Sequence, residues 1–165
     1  MLNCRAKILT PEQLGPWRHA ARQAGRTLVA TNGCFDLLHA GHVTYLEAAR
    51  THGDLLLVGV NGDTAVRSLK GAGRPLNTEA DRALVLAGLQ SVDAVVIFPE
   101  VRAAAFLAKV QPDVWVKGGD YTLETLDQDE RRVVEQAGGR IAFIPFLAGR
   151  STTALVERLG PRPWQ

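Results

Sequence analysis

Cysteines, long apolar runs and an excess of one charge are all scarce or absent in this chain. Only two cysteines occur among its 165 residues. That is too few for a disulfide framework, so a reducing compartment is expected. No apolar run approaches the roughly 20 residues of a membrane span, and the N-terminus lacks the apolar region of a signal peptide. We therefore expect a cytoplasmic protein that has no membrane partner.

Positive and negative side chains are nearly equal in number. The 19 Lys and Arg residues exceed the 17 Asp and Glu residues by only two, and the two signs are interspersed along the chain. A general nucleic-acid binder would carry a clustered basic face, so we expect no nucleic-acid partner. A local pocket for a small anion is compatible with this composition.

Segments of uninterrupted apolar character alternate with segments whose apolar residues recur at helical spacing. The apolar segments number five: 27–31, 54–61, 94–98, 113–118 and 140–146. Strands that are apolar from end to end are typical of a parallel sheet covered by helices on both faces. The pattern predicts a single α/β domain over 1–165, a Rossmann-like doubly wound sheet of about five parallel strands. In it, a helical extension at 1–26 precedes a core at 27–159.

Doubly wound sheets bind their ligands beyond the carboxyl ends of the strands, where the strand order reverses. We therefore expect the functional residues in the loops that follow the strands: 32–42, 61–63, 117–121 and 146–152. Two other phosphate-binding devices are absent from the sequence. It has no G-x-x-x-x-G-K-[ST] segment, and no G-x-G-x-x-G segment follows a predicted strand.

The first of these loops contains the segment FDLLHAGH, which places His39 and His42 at or just before the start of a predicted helix. A spacing of three puts both rings on one side of the first turn, and Gly41 keeps the space beside them open. The free N–H groups of a helix start attract anions, and imidazoles can donate hydrogen bonds to phosphate oxygens. This arrangement suits a phosphoryl group under attack, where negative charge grows on the oxygens.

Two other interpretations of the histidine pair stay open at this stage. Buried histidines that are satisfied by their neighbours would give the same spacing. A zinc site built from Cys34, His39 and His42 would also use it, although a fourth ligand is missing.

Basic residues mark the second candidate region. The segment KGAGR begins with Lys70 and could bind phosphate, but such a segment is also typical of a solvated turn. Arg82 follows in the first turns of a predicted helix at 78–89, where a surface arginine is the alternative.

The last two loops carry more specific patterns. In VKGGDY, Lys117 leaves a buried strand, and a glycine pair then clears space before Asp120 and Tyr121. In GRSTTALV, three consecutive hydroxyl side chains stand at a predicted helix start beside Arg150. Such a start is a natural cradle for terminal phosphates. The hydroxyls belong to Ser151, Thr152 and Thr153.

These segments together resemble a known family. TNGCFDLLHAGH and RSTTALV are similar to the HxGH nucleotidyltransferase superfamily, in its cytidylyltransferase-like branch, over about residues 27–159. With LKGAGRPLN and VKGGDY included, the chain most resembles the D-glycero-β-D-manno-heptose 1-phosphate adenylyltransferases. Among these it is most similar to the stand-alone form, which has no kinase domain before it. The resemblance implies transfer of AMP from ATP to a sugar 1-phosphate, with release of pyrophosphate.

Two alternatives to this activity stay open. One is a cytidylyltransferase that acts on an alcohol phosphate such as glycerol 3-phosphate, although Phe146 stands where such enzymes carry an arginine. The other is a nucleotide-binding module without turnover.

The resemblance also implies roles for individual residues. His39 and His42, assisted by Lys70, would be the catalytic groups at the α-phosphate. The nucleotide would be bound by Asn32, Gly33, Cys34, Phe35, Gly41, Arg82, Lys117, Gly118, Gly119, Ser151, Thr152 and Thr153. The acceptor side would be formed by Asp36, Asp120, Tyr121 and Arg150. A Mg²⁺ ion held mainly by the nucleotide and water is expected, as is a homodimer.

Overall fold

The computed structural model describes residues 3–119 and 121–145, together with 149, 152, 155, 156 and 160. Within these residues the chain forms a parallel sheet with helices on both faces. The predicted Rossmann-like doubly wound fold is confirmed. No helix in this part of the chain combines the length and the apolar character needed to cross a membrane.

The sheet contains one strand more than the five predicted. Its strands are β1 (Ile8–Leu9), β2 (Leu28–Gly33), β3 (Leu55–Asn61), β4 (Ala94–Phe98), β5 (Val114–Gly118) and β6 (Arg140–Ile144). The additional strand, β1, pairs with β4 at one edge of the sheet, through Ile8–Val95 and Leu9–Val96. A strand of two residues is too short to show a hydrophobic period, so the sequence did not predict it.

Six α-helices lie wholly within the described residues. They are α1 (Pro11–Gln23), α2 (Ala40–Arg50), α3 (Asp63–Lys70), α4 (Glu79–Ala87), α5 (Ala104–Val110) and α6 (Gln128–Gln136), and a short 3₁₀ helix, Cys4–Lys7, precedes β1. The first helix begins in a capping box, in which Thr10 Oγ1 accepts from the Gln13 N–H and Gln13 Oε1 accepts from the Thr10 N–H. The capping box fixes the start of α1 at Pro11, within the helical extension predicted at 1–26.

Two apolar clusters, one on each face of the sheet, hold the helices in place. Val29 and Leu56 belong to the cluster beneath α2 and α4, whereas their neighbours Leu28 and Leu57 belong to the cluster beneath α1, α5 and α6. All four side chains are fully buried. Burial of each contributes roughly 1.5–3 kcal/mol, which makes the sheet a firm support for the loops at its edge.

The strand order reverses beside β2. The order is β1-β4-β3-β2-β5-β6, so the chain moves outward from β2 through β3 to β4 and then returns to the other side of β2. Six residue pairs join β2 to β3, but only Val29–Val114 and Ala30–Trp115 join β2 to β5. The last residues of β2 and β5 therefore separate, and a crevice opens at the point of reversal.

Candidate active site

A cleft of about 900 Å³ lies at the carboxyl ends of β2 and β5. It is lined by these predicted site residues: Asn32, Gly33, Cys34, Phe35, Asp36, His39, Gly41, His42, Lys70, Lys117, Gly118, Tyr121 and Thr152. Two predicted residues do not line it: Arg82, and Gly119, whose N–H donates to the Ile144 carbonyl at 2.9 Å. Four others, Asp120, Arg150, Ser151 and Thr153, lie outside the described residues.

Side chains connect β2 to β5 beneath the cleft, where strand pairing stops. The Trp115 Nε1–H donates to Asn32 Oδ1 at 3.0 Å. The buried Tyr45 hydroxyl donates to the Val116 carbonyl at 3.1 Å and lies 2.7 Å from Thr31 Oγ1. Because a phenol has one proton, Thr31 is the donor in the second bond. Burial raises the pKa of Tyr45, so this group stays protonated and has a structural role.

The two histidines lie at the start of α2, as predicted. His39 is the N-cap residue, and the His39 and His42 ring centroids are 4.0 Å apart. The His39 backbone N–H donates to His42 Nδ1 at 3.4 Å. A neutral imidazole that accepts at Nδ1 carries its proton on Nε2, so His42 is a hydrogen-bond donor.

The charge of His42 depends on its surroundings. Burial of the ring and the neighbouring His39 lower the pKa of His42 to about 4, so the ring is neutral at pH 7. A bound anion would favour the protonated form and raise that pKa. Both rings are only half-buried and line the cleft, which excludes the interpretation of two packed core histidines.

Asp36 orders the segment that follows Lys70. Its buried carboxylate accepts from the N–H groups of Leu76 at 2.7 Å and Asn77 at 3.2 Å. It also forms an ion pair with Arg74, with Nε and Oδ2 2.6 Å apart. Asp36 therefore shapes the wall of the cleft, and it holds Arg74, the last residue of the KGAGR segment, at the cleft lining.

Arg82 lies behind the loops of the site. It is 2% exposed, so the surface location considered from the sequence is wrong. Its guanidinium donates to three carbonyl oxygens and one carboxylate, those of Cys34, Asn61, Asn77 and Asp63. These acceptors lie just after β2, at the junction of β3 with α3, and just before α4. Arg82 thus supports the site by holding three segments together, without lining the cleft itself.

Lys117 lies on another wall of the cleft, at the end of β5. Its ammonium is 4.8 Å from the centroid of the Trp115 ring and 5.2 Å from that of the Tyr121 ring. It is also 3.7 Å from Glu130 Oε2. Burial lowers the pKa of Lys117, and the negative charge of Glu130 opposes that shift. Glu130 was missed by the sequence analysis because its segment, QDERRVVEQ, has the composition of a solvated helix.

A zinc centre finds no support in this geometry. Among the described residues, no group of three His, Cys, Asp or Glu side chains could hold a metal ion. Burial also raises the pKa of Cys34, which disfavours the thiolate that zinc binds. The described residues therefore favour the anion-binding interpretation of His39 and His42 over one in which they join Cys34 as zinc ligands.

Comparison with known families agrees with the geometry of the cleft. Residues 30–158 match the family model described as cytidylyltransferase-like. The chain belongs to the cytidylyltransferase-like family. The resemblance inferred from the motifs is confirmed, and with it the assignment of the chain to the nucleotidyltransferases.

Curated relatives of this cytidylyltransferase-like chain include two proteins named bifunctional protein HldE. That of Alkalilimnicola ehrlichii is 53% identical over 162 residues, which cover 96% of this chain and 33% of the relative. That of Geotalea uraniireducens is 52% identical over 154 residues, which cover 93% of this chain and 31% of the relative. The chain thus spans about a third of the length of these relatives.

Solved structures with the same fold include a lipopolysaccharide core biosynthesis protein from Thermoplasma volcanium. It has a TM-score of 0.61 and 27% identity, over 74% of this chain and 98% of that one. A pantoate-beta-alanine ligase from Francisella tularensis has a TM-score of 0.56 and 13% identity, over 88% of this chain and 68% of that one. At that identity, the second likeness shows the fold alone.

Proposed function

We propose that this cytidylyltransferase-like chain moves AMP from ATP to D-glycero-β-D-manno-heptose 1-phosphate, giving ADP-heptose and pyrophosphate. One observation carries the proposal: the paired imidazoles of His39 and His42 line a cleft that also receives Lys70, Lys117 and Thr152. Hydrogen-bond donors and cations from four segments converge on one volume, which suits a nucleoside triphosphate under attack.

The choice of nucleotide and acceptor rests on likeness to other proteins. The HldE relatives match nearly the whole chain at about half identity. The Thermoplasma neighbour is named for lipopolysaccharide core biosynthesis, a process that fits a heptose acceptor. The segments VKGGDY and STT add the motif resemblance to heptose 1-phosphate adenylyltransferases.

The reaction would be a single displacement at the α-phosphorus. A phosphate oxygen of the sugar 1-phosphate attacks, the bond to the β-phosphate oxygen breaks, and pyrophosphate leaves. The acceptor is already anionic near pH 7, so no general base is required. His42 and His39 would donate hydrogen bonds to the α-phosphate oxygens as charge grows there, and positioning would supply much of the remaining rate.

A Mg²⁺ ion would arrive bound to the triphosphate and neutralise part of its charge. The carboxylates that line the cleft are already engaged by cations: Asp36 by Arg74, Asp127 by Arg102 and Glu130 by Lys117. This fits an ion held by phosphate oxygens and water. A homodimer, a cytoplasmic location and the organisation of 1–165 as one catalytic domain stay predictions.

A substrate matrix tests the proposed function. ATP, CTP, GTP and UTP are each combined with heptose 1-phosphate, glycerol 3-phosphate and phosphopantetheine, and pyrophosphate formation is measured. We expect release only with ATP and heptose 1-phosphate. Release with CTP and glycerol 3-phosphate would instead support the alcohol-phosphate alternative. Nucleotide binding without pyrophosphate from any pair would support a module without turnover.

A further inference from the structure

Glu130 is a buried carboxylate for which the proposed chemistry has no direct use. It projects from the first turn of α6 and is 5% exposed. Its Oε1 accepts from the Ala103 N–H at 2.6 Å, just before α5, and its Oε2 lies 3.7 Å from the Lys117 ammonium. One side chain therefore connects two helices to the cation at the end of β5.

Lys117 is confined by several groups at once. The Trp115 and Tyr121 rings lie within about 5 Å of its ammonium, and aromatic faces attract a cation. The charged groups that act on it are Glu130 and Asp127 at the start of α6, and Arg102 just before α5. Only Glu130 is within ion-pair distance among the described residues. Because Lys117 is itself mostly buried, it cannot replace that partner by full hydration.

We infer that Glu130 is a positioning residue, which keeps Lys117 charged and fixes its ammonium on the cleft wall so that it can bind an anionic group of a substrate. The inference deepens the proposed function and rests on it for the identity of the substrate. Burial alone lowers the pKa of Lys117, and both the charge and the hydrogen bond of Glu130 raise it. Without the carboxylate, the lysine would lose charge at a lower pH.

Glu130→Gln separates this role from a merely structural one. The amide oxygen can still accept from the Ala103 N–H, so the link to α5 is kept. The amide NH₂ would then face the ammonium, and two donors cannot bond to each other. Glu135→Gln is the matched control, because it removes an exposed carboxylate from the same helix, one whose partner is Arg131.

The first measurement needs no substrate. The full chain is labelled with acetic anhydride over a range of pH, and acetylation of Lys117 is followed by mass spectrometry. We expect Lys117 to become reactive at a lower pH in Glu130→Gln than in the parent chain. In Glu135→Gln, Lys117 should become reactive at the same pH as in the parent chain. Unchanged reactivity in Glu130→Gln would overturn the inference. If Glu130→Gln lowered the melting temperature but left the reactivity of Lys117 unchanged, the role of Glu130 would be structural only.

The second measurement uses pyrophosphate release. We expect Glu130→Gln to lower kcat/KM at pH 8 by about tenfold or more, since small misplacements of a contacting group can cost up to about 10²-fold. We also expect the alkaline limb of its pH profile to move to lower pH, and Glu130→Asp to restore part of both effects. An unmoved limb would contradict the inference.

The two measurements distinguish failure of the proposed function from failure of the inference about Glu130. If the parent chain releases no pyrophosphate from any substrate pair, the proposed function is wrong, but labelling of Lys117 still decides the role of Glu130. If Glu130→Gln does not fold, Glu130→Asp is labelled in its place. The shorter Asp side chain places its carboxylate farther from the Lys117 ammonium. If Lys117 still became reactive at the same pH as in the parent chain, the inference would be overturned.

Discussion

Replacement of Arg82 by methionine should cost much of the stability of this chain. The guanidinium is fully buried, and its loss leaves the Asp63 carboxylate without its ion pair at 2.8 Å and three backbone carbonyls without their donors. Removing one partner of a buried ion pair lowers the free energy of unfolding by about 3–5 kcal/mol. Asp63 keeps some access to water, which limits its share, but the carbonyls add to the loss. We therefore expect the free energy of unfolding to fall by about 3–5 kcal/mol.

Urea denaturation, followed by circular dichroism and tryptophan fluorescence, measures this change. Arg82→Lys keeps the charge, but its single ammonium cannot reach acceptors in three segments, so we expect it to recover less than half of the loss. Arg132→Met is the control: its ion pair with Asp129 is exposed, and we expect a change below about 1 kcal/mol. A fall below about 1 kcal/mol for Arg82→Met would refute the view that this residue holds the loops together.

Three further predictions concern the site and the glycines. His42→Ala should keep the fold and lower turnover by about 10²-fold or more, which is the cost of losing one oxyanion donor. Replacement of the exposed His19 by alanine should leave turnover unchanged. Near-parent turnover in His42→Ala would refute the role of His42. Because the pKa of His42 falls from 6.5 to about 4 on folding, the unfolded chain binds the extra proton. The free energy of unfolding, measured by urea titration, should therefore decline as the pH drops from 6.5 to about 4. The decline should be smaller in His42→Gln. Gly53→Ala should destabilise, since its Cβ would lie 2.8 Å from the Thr27 carbonyl oxygen, whereas Gly15→Ala meets nothing within 4 Å and should be neutral or stabilising in thermal unfolding.

Much of the fold could be predicted because its signals are local. The strand Ala94–Phe98 has the predicted bounds, and the start of α1 follows from the Thr10 capping box. The segment EVRAAAFLAKV has the composition of a helix from residue 100, but α5 begins only at Ala104, since the chain bends through the residues before it. Short-range patterns thus identify elements more securely than they identify their ends.

The candidate site was only partly predictable for a different reason. The histidine pair and Lys117 stand in loops of recognisable composition, and the cleft includes them. Arg82 and Glu130 act through contacts with residues far away in sequence, up to 48 positions for Arg82 and Cys34. The sequence alone selects Arg82 only as a candidate nucleotide ligand and does not select Glu130, because a charged residue on a short helix is ordinarily solvated. Their roles follow only from tertiary packing.

The parting of β2 from β5 has a consequence for how this scaffold accommodates change. The hollow at the base of the cleft arises from backbone geometry, and two polar cross-links, from Trp115 to Asn32 and from Tyr45 to Val116, bridge it. Its floor therefore exists independently of the rim residues that would select a base or a sugar. Substitutions in the surrounding loops could retune selectivity while this floor, and the placement of the reacting centre above it, stayed the same.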